Sequence, residues 1–206
     1  SYDADGETPF RFGSFTTMGE FYVETGLNII GMSDYKRILS LDSAMAVVQF
    51  KKDHVAYQRN YFISYPANVM VMRFSADQPG KQNLVFSYAP NPVSTGNMAS
   101  DSNKGLVYSA SLDNNGMKYV VRIQAETKGG TLSNADGKLT VKGADEVVFY
   151  ITADTDYKPN FDPDFKEPKT YVGVNPEETT KEWMNNAVSQ GYTALFSQHY
   201  NDYAAL

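Results

Sequence analysis

Apolar and polar positions alternate along most of this chain, and the alternation predicts strands. Residues 14–25 place Phe15, Thr17, Gly19, Phe21 and Val23 on one face and Met18, Glu20, Tyr22 and Glu24 on the other. That is the period of a half-buried strand, with a glycine that marks a bulge. Residues 26–33 form a turn-rich link, and residues 34–42 (DYKRILSLD) read as a strand in preference to a helix. The densest stretch, residues 43–76, holds three runs crowded with Val, Tyr, Phe and Ile, side chains that pack well on a pleated surface. In its middle run Val55, Tyr57, Arg59, Tyr61 and Ile63 share one face, which reads as core with a charged intruder. Arg59 is expected to pair with Glu20, Glu24 or Asp42.

Further strands follow at 82–89, 105–112 and 117–127, and short ones flank Asp136-Gly137. Residues 90–104 are rich in Ser, Asn and Gly and read as a loop. Asn115-Gly116 and Asp136-Gly137 each mark a tight turn between alternating runs. Residues 146–153 (EVVFYITA) are almost wholly apolar, so this strand is expected at the centre of a sheet, covered on both faces. About ten strands with turns at short intervals predict a mainly β protein, a large antiparallel β-sandwich or supersandwich.

The pattern changes after residue 154. Residues 155–175 form a long loop, and residues 176–206 take a helical period. Asn175 is the expected N-cap, Pro176 takes the first helical position, and Glu178 completes a capping box. The first helix is expected to end near Gly191 and a second to run over 192–206. The expected organisation is a sandwich over 1–154, a loop over 155–175 and two linker helices over 176–206.

Composition narrows the chemistry. The net charge of −6 disfavours nucleic acid and anionic membrane as partners. With no cysteine among 206 residues there is neither a disulfide nor a thiolate metal site. No apolar run approaches the ~18 residues of a spanning helix. The two histidines, His54 and His199, are far apart in sequence. His199 and Asp202 lie three apart on a predicted helix, and read as a polar contact with the sheet or a following domain. Asp154, Asp156, Asp162 and Asp164 offer hard oxygen ligands for calcium, but lack the glycine and the glutamate of an EF-hand loop. Ordinary loop solvation explains them, so no cofactor is expected beyond a weak structural calcium there. Trp183, beside Met184 and Val188, reads as packing against the sheet. No phosphate loop, nucleophile elbow or thiol nucleophile is present, so no catalytic centre is legible.

Four motifs in order resemble glycoside hydrolase family 95. They are Tyr35-Lys36-Arg37 with Leu39, Leu41 and Ala44, then Val55 to Pro66 followed by Val69 to Arg73. The third is Ala153-Asp154-Thr155-Asp156-Tyr157, and the fourth His199-Tyr200-Asn201-Asp202-Tyr203 with Leu206. Asn60 departs from the acid the family carries after the arginine at position 59. The resemblance implies the N-terminal sandwich and linker of an extracytoplasmic inverting exo-glycosidase, α-L-fucosidase or α-L-galactosidase in type, whose catalytic residues lie in a following (α/α)₆ barrel. It implies a non-catalytic domain whose partners are that barrel and the enzyme's glycan substrate. Asp154, Asp156 and Tyr157 are then candidates for the rim of the sugar site, and Trp183, His199, Asp202 and Tyr203 for packing between domains. The rival reading is an independent carbohydrate-binding, lectin-like sandwich with Tyr88, Tyr108 and Tyr119 as an exposed stacking platform.

Overall fold

A computed structural model describes residues 16–161 and 172–205. Among these residues twelve strands form two antiparallel sheets, and a helix follows. The smaller sheet takes β1 (Gly19–Glu24), β6 (Gln82–Pro90), β11 (Lys138–Ala144) and β10 (Thr131–Ala135) in that order. The larger has eight strands: β2 (Met32–Ser40), β3 (Met45–Lys52), β4 (Val55–Ser64), β5 (Val69–Ala76), β12 (Glu146–Thr155), β9 (Lys118–Lys128), β8 (Gly105–Leu112) and β7 (Ser94–Ser100). The mainly β sandwich expected from the alternation is the architecture found. The stretch read as a loop contains β7, a small-residue strand whose pairing with β8 overrides its weak intrinsic preference.

The turns follow local chemistry. Asp136 and Gly137 both have positive φ, as a two-residue hairpin turn requires. Asp53 and His54 do the same between β3 and β4, so His54 is a turn residue in the left-handed region. The break after β3 therefore lies one residue later than the sequence pattern places it.

Between the sheets lies an aromatic and aliphatic core. Phe86 of the small sheet stacks on Phe149 of the large one at 4.5 Å between ring centres, and Phe149 meets Phe74 edge-on at 6.0 Å. Such burial contributes about 1.5–3 kcal/mol for each Phe relative to leaving it exposed. The small sheet leaves β2–β4 largely uncovered, and Arg59 lies in that region. Its guanidinium sits 5.1 Å from the Phe50 ring centre and 5.7 Å from that of Phe74. It makes no ion pair with Glu20, Glu24 or Asp42, contrary to expectation: rings from the two neighbouring strands take the cation instead.

The opposite face of the large sheet carries α1, Pro176–Tyr203. Thr180, Met184 and Ala187 before Gly191, and Leu195 and His199 after it, step at three or four residues; Met184, Ala187 and Leu195 are buried with Phe62, Val69, Val71, Val148 and Tyr150. Phe149 and Tyr150 are thus buried on opposite faces of β12, the doubly covered central strand the apolar run predicts. On β4 the expected face is buried at Val55 and Tyr57, but toward the end of the strand the helix reverses the sides: Phe62 is buried under α1, whereas Ile63 is 66% exposed. The two expected helices are one span, interrupted at Gly191 (φ 71, ψ 171), where the first was expected to end.

Candidate functional site

The N-terminal end of α1 is clamped to the sheet. The Asn175 side chain accepts from the Glu177 N–H at 3.1 Å. The acid that turns inward is Glu177, not Glu178, which is exposed. Glu177 meets Arg122 of β9 at 3.2 Å and accepts from the Ser109 hydroxyl of β8. Arg122 is buried and also pairs with Asp101. An acid in the first helical turn also answers the positive end of the helix dipole. Arg122 does not stand out in the sequence. Its only signal is a cation within the apolar run of β9, on the face away from Val121 and Ile123.

The other end of α1 borders an apolar surface groove. His199 is only 5% exposed, and its Nε2 lies 2.9 Å from the Ser43 carbonyl at the β2–β3 turn. A carbonyl only accepts, so Nε2 carries the proton. The ring stacks on Phe62 at 5.0 Å and on Tyr203 at 6.5 Å. Held this way, His199 fastens helix to sheet, as the sequence reading has it, while Asp202 is exposed. Together with Leu39, Tyr61, Ile63 and Met70, the helix end borders an open groove of about 680 Å³. Leu39 and Tyr65 on its rim are 68% and 80% exposed. Nearby, Tyr192 packs on Phe62 and lies under the Arg73 guanidinium at 4.8 Å. Burial pushes the Tyr192 phenol up, and Arg73 pulls it the other way.

Trp183 is not part of this groove. It is half-buried beside Pro66, Ala67 and Asn68 of the β4–β5 turn, and Met184 is the residue that enters the core. The proposed rim residues sit at the far end of β12. Asp154 accepts from the Thr155 N–H at 2.8 Å. Asp156 is buried and accepts from the Lys118 N–H at 2.9 Å, while its carbonyl accepts from Gly173. Tyr157 is exposed and pairs with Val172 in an isolated bridge. Asp156 thus pins the end of β12 to β9. Asp162 and Asp164, the other half of the calcium set, lie outside the described residues. Among the described residues no group of three acids or histidines is placed to hold a metal.

The tyrosine platform is overturned. Tyr88, Tyr108 and Tyr119 are 7%, 5% and 1% exposed and pack together in the sandwich core. They alternate on strands as exposed aromatics would, but their shared face is the one the second sheet covers.

Residues 3–160 match the glycosyl hydrolase family 65 N-terminal domain. The chain belongs to that domain family. The probable α-fucosidase A of Aspergillus niger is 30% identical over 96% of this chain and 25% of its own length. The α-L-fucosidase 2 of Arabidopsis thaliana is 24% identical over 84% of this chain and 23% of its own length. A solved putative kojibiose phosphorylase from the human microbiome shares the fold, with a TM-score of 0.58 at 10% identity over 89% of this chain and 27% of its own. The chain therefore spans about a quarter of the length of these relatives. The class expected from the motifs, an N-terminal domain of a glycoside hydrolase, is the class found. The match is to family 65, and the fucosidase relatives are compatible with family 95.

Proposed function

We propose that this chain is the non-catalytic N-terminal domain of an α-fucosidase-like glycoside hydrolase, and that it supports a catalytic barrel in the same polypeptide. The observation that carries this reading is the groove at the end of α1. Leu39, Ile63 and Tyr65 present apolar surface there, beside a helix end fastened by His199. A surface of that kind favours burial against another domain. In this reading Tyr203 and Asp202 pack at the junction, and Trp183 meets the barrel beside the β4–β5 turn. Tyr157 and the end of β12 lie toward the rim of the sugar pocket in this reading. The enzyme as a whole then acts on a glycan, outside the cytoplasm.

The described acids support the non-catalytic role. Asp154 and Asp156 are engaged by backbone N–H groups at a strand end. Among the described residues neither lines a groove with a second carboxylate, the arrangement glycoside hydrolysis calls for. The expected outcome is that the purified 206-residue chain does not turn over a chromogenic α-L-fucoside at any pH between 4 and 9. Release of the chromophore above the buffer rate, abolished by Asp154→Asn or Asp156→Asn, would overturn the reading.

A further inference from the structure

The large sheet has a second groove, of about 510 Å³, on the face that carries the helix but toward the β3–β4 turn. Lys36, Gln49, Gln58 and Ser75 face one another in register across β2, β3, β4 and β5 and form its floor. Two of these side chains belong to an ordered amide row. Gln49 Nε2 donates to Gln58 Oε1 at 2.9 Å, and Gln58 Nε2 donates to Asn60 Oδ1 at 3.0 Å. Asn60 is buried and donates to the Met45 sulfur at 3.5 Å, so the row is anchored at its inner end. Each glutamine uses one amide N–H along the row and keeps a second donor, and each carbonyl has lone pairs to spare. The row therefore holds alternating donors and acceptors in fixed positions before any ligand arrives, which lowers the ordering cost of binding.

The charges around the row balance. Lys51 pairs with Asp34 at 2.8 Å, and Asp77 accepts from the Ala56 N–H at 2.9 Å. With Lys36, the groove has two cations and two carboxylates, which selects neither anions nor cations. Phe50 and Tyr57 stack on each other and are buried, so they offer no open ring face. A ligand suited to this lining is uncharged and carries neighbouring groups that each donate and accept.

We propose that this groove binds a neutral saccharide, with vicinal hydroxyls bridging the amides of Gln49 and Gln58. The ligand class follows from the groove's own chemistry, so it stands whether or not the supporting role does. Without a stacking ring the affinity is modest, with a dissociation constant of about 1 mM. The test is an NMR titration of the isotope-labelled 206-residue chain with L-fucose, D-galactose and a fucosylated trisaccharide, and with tert-butanol as a control lacking a diol. The expected result is saturable movement of the Gln49 and Gln58 side-chain amide signals with at least one sugar and none with the alcohol. Gln49→Ala and Gln58→Ala should each weaken binding about tenfold. If Gln58→Ala disturbs the fold, Gln49→Ala decides, because Gln49 ends the row and its loss leaves the Gln58–Asn60 bond in place. Signals that do not saturate with any sugar, or binding unchanged in Gln49→Ala, would overturn the proposal.

Discussion

Tyr150 lies beneath the helix with its hydroxyl 2.9 Å from the Glu126 carboxylate. Burial raises its phenol above the ordinary value of 10.0, and Glu126 raises it further. Tyr88 is raised in the same way, first by burial and then by Tyr119 and Tyr108. In both cases the folded state holds a proton that the unfolded chain releases near pH 10. Their contribution to stability is complete below that pH and is lost as pH rises through the raised folded values. Thermal melts should therefore show a decline in stability that begins near pH 10, and Tyr150→Phe should make it shallower. A melting temperature independent of pH between 9 and 11.5 would contradict this. At the residue scale the sequence shows which side chains are buried better than it shows what they touch. Arg59 stands out as a cation on an apolar face, but its rings come from β3 and β5, and only the register brings Phe50 and Phe74 beneath it. Tyr88, Tyr108 and Tyr119 show the converse. Strand alternation puts them on a definite face, and nothing local says whether that face meets water or a second sheet.

At the scale of elements, the strongly patterned segments were the legible ones. The apolar run of β12 announced a strand covered on both sides, and the Asn-Gly and Asp-Gly turns announced their hairpins. β7 was illegible because its Ser, Gly and Asn carry little strand preference, and its place at the sheet edge comes from pairing with β8. The helical break at Gly191 was legible because glycine ends helices so often. Its role is more specific than an ending. The conformation at φ 71 and ψ 171 is open almost only to glycine, although the space around it is free. Gly191→Ala should thus cost about 1–3 kcal/mol through backbone strain alone, read as a shift in the denaturant midpoint. At Ala194, where the backbone is helical, the reverse change Ala194→Gly should cost about 1 kcal/mol through helix propensity. An unchanged midpoint for Gly191→Ala would show that the break is not held by this residue.

For the whole molecule, the structure has one face of its large sheet covered by a second sheet and the other by a helix. What stays open is the wing at β2. β2 is a nine-residue edge strand with seven consecutive exposed residues, an arrangement proteins usually protect. The groove at the end of α1 adjoins this wing, and the proposed supporting role gives both a reason to exist. The motifs of the sequence pointed to the class of enzyme without showing where domains would meet, because the proposed contact surface draws on β2, β4, β5 and the last turn of α1 together. Hydrogen–deuterium exchange, comparing the 206-residue chain with the full-length enzyme, tests the supporting role most directly. The account predicts that backbone amides of residues 38–46, 61–68 and 199–203 exchange at least tenfold more slowly in the full-length enzyme, while those of the small sheet are unchanged. Equal exchange at the groove in the two proteins would contradict it.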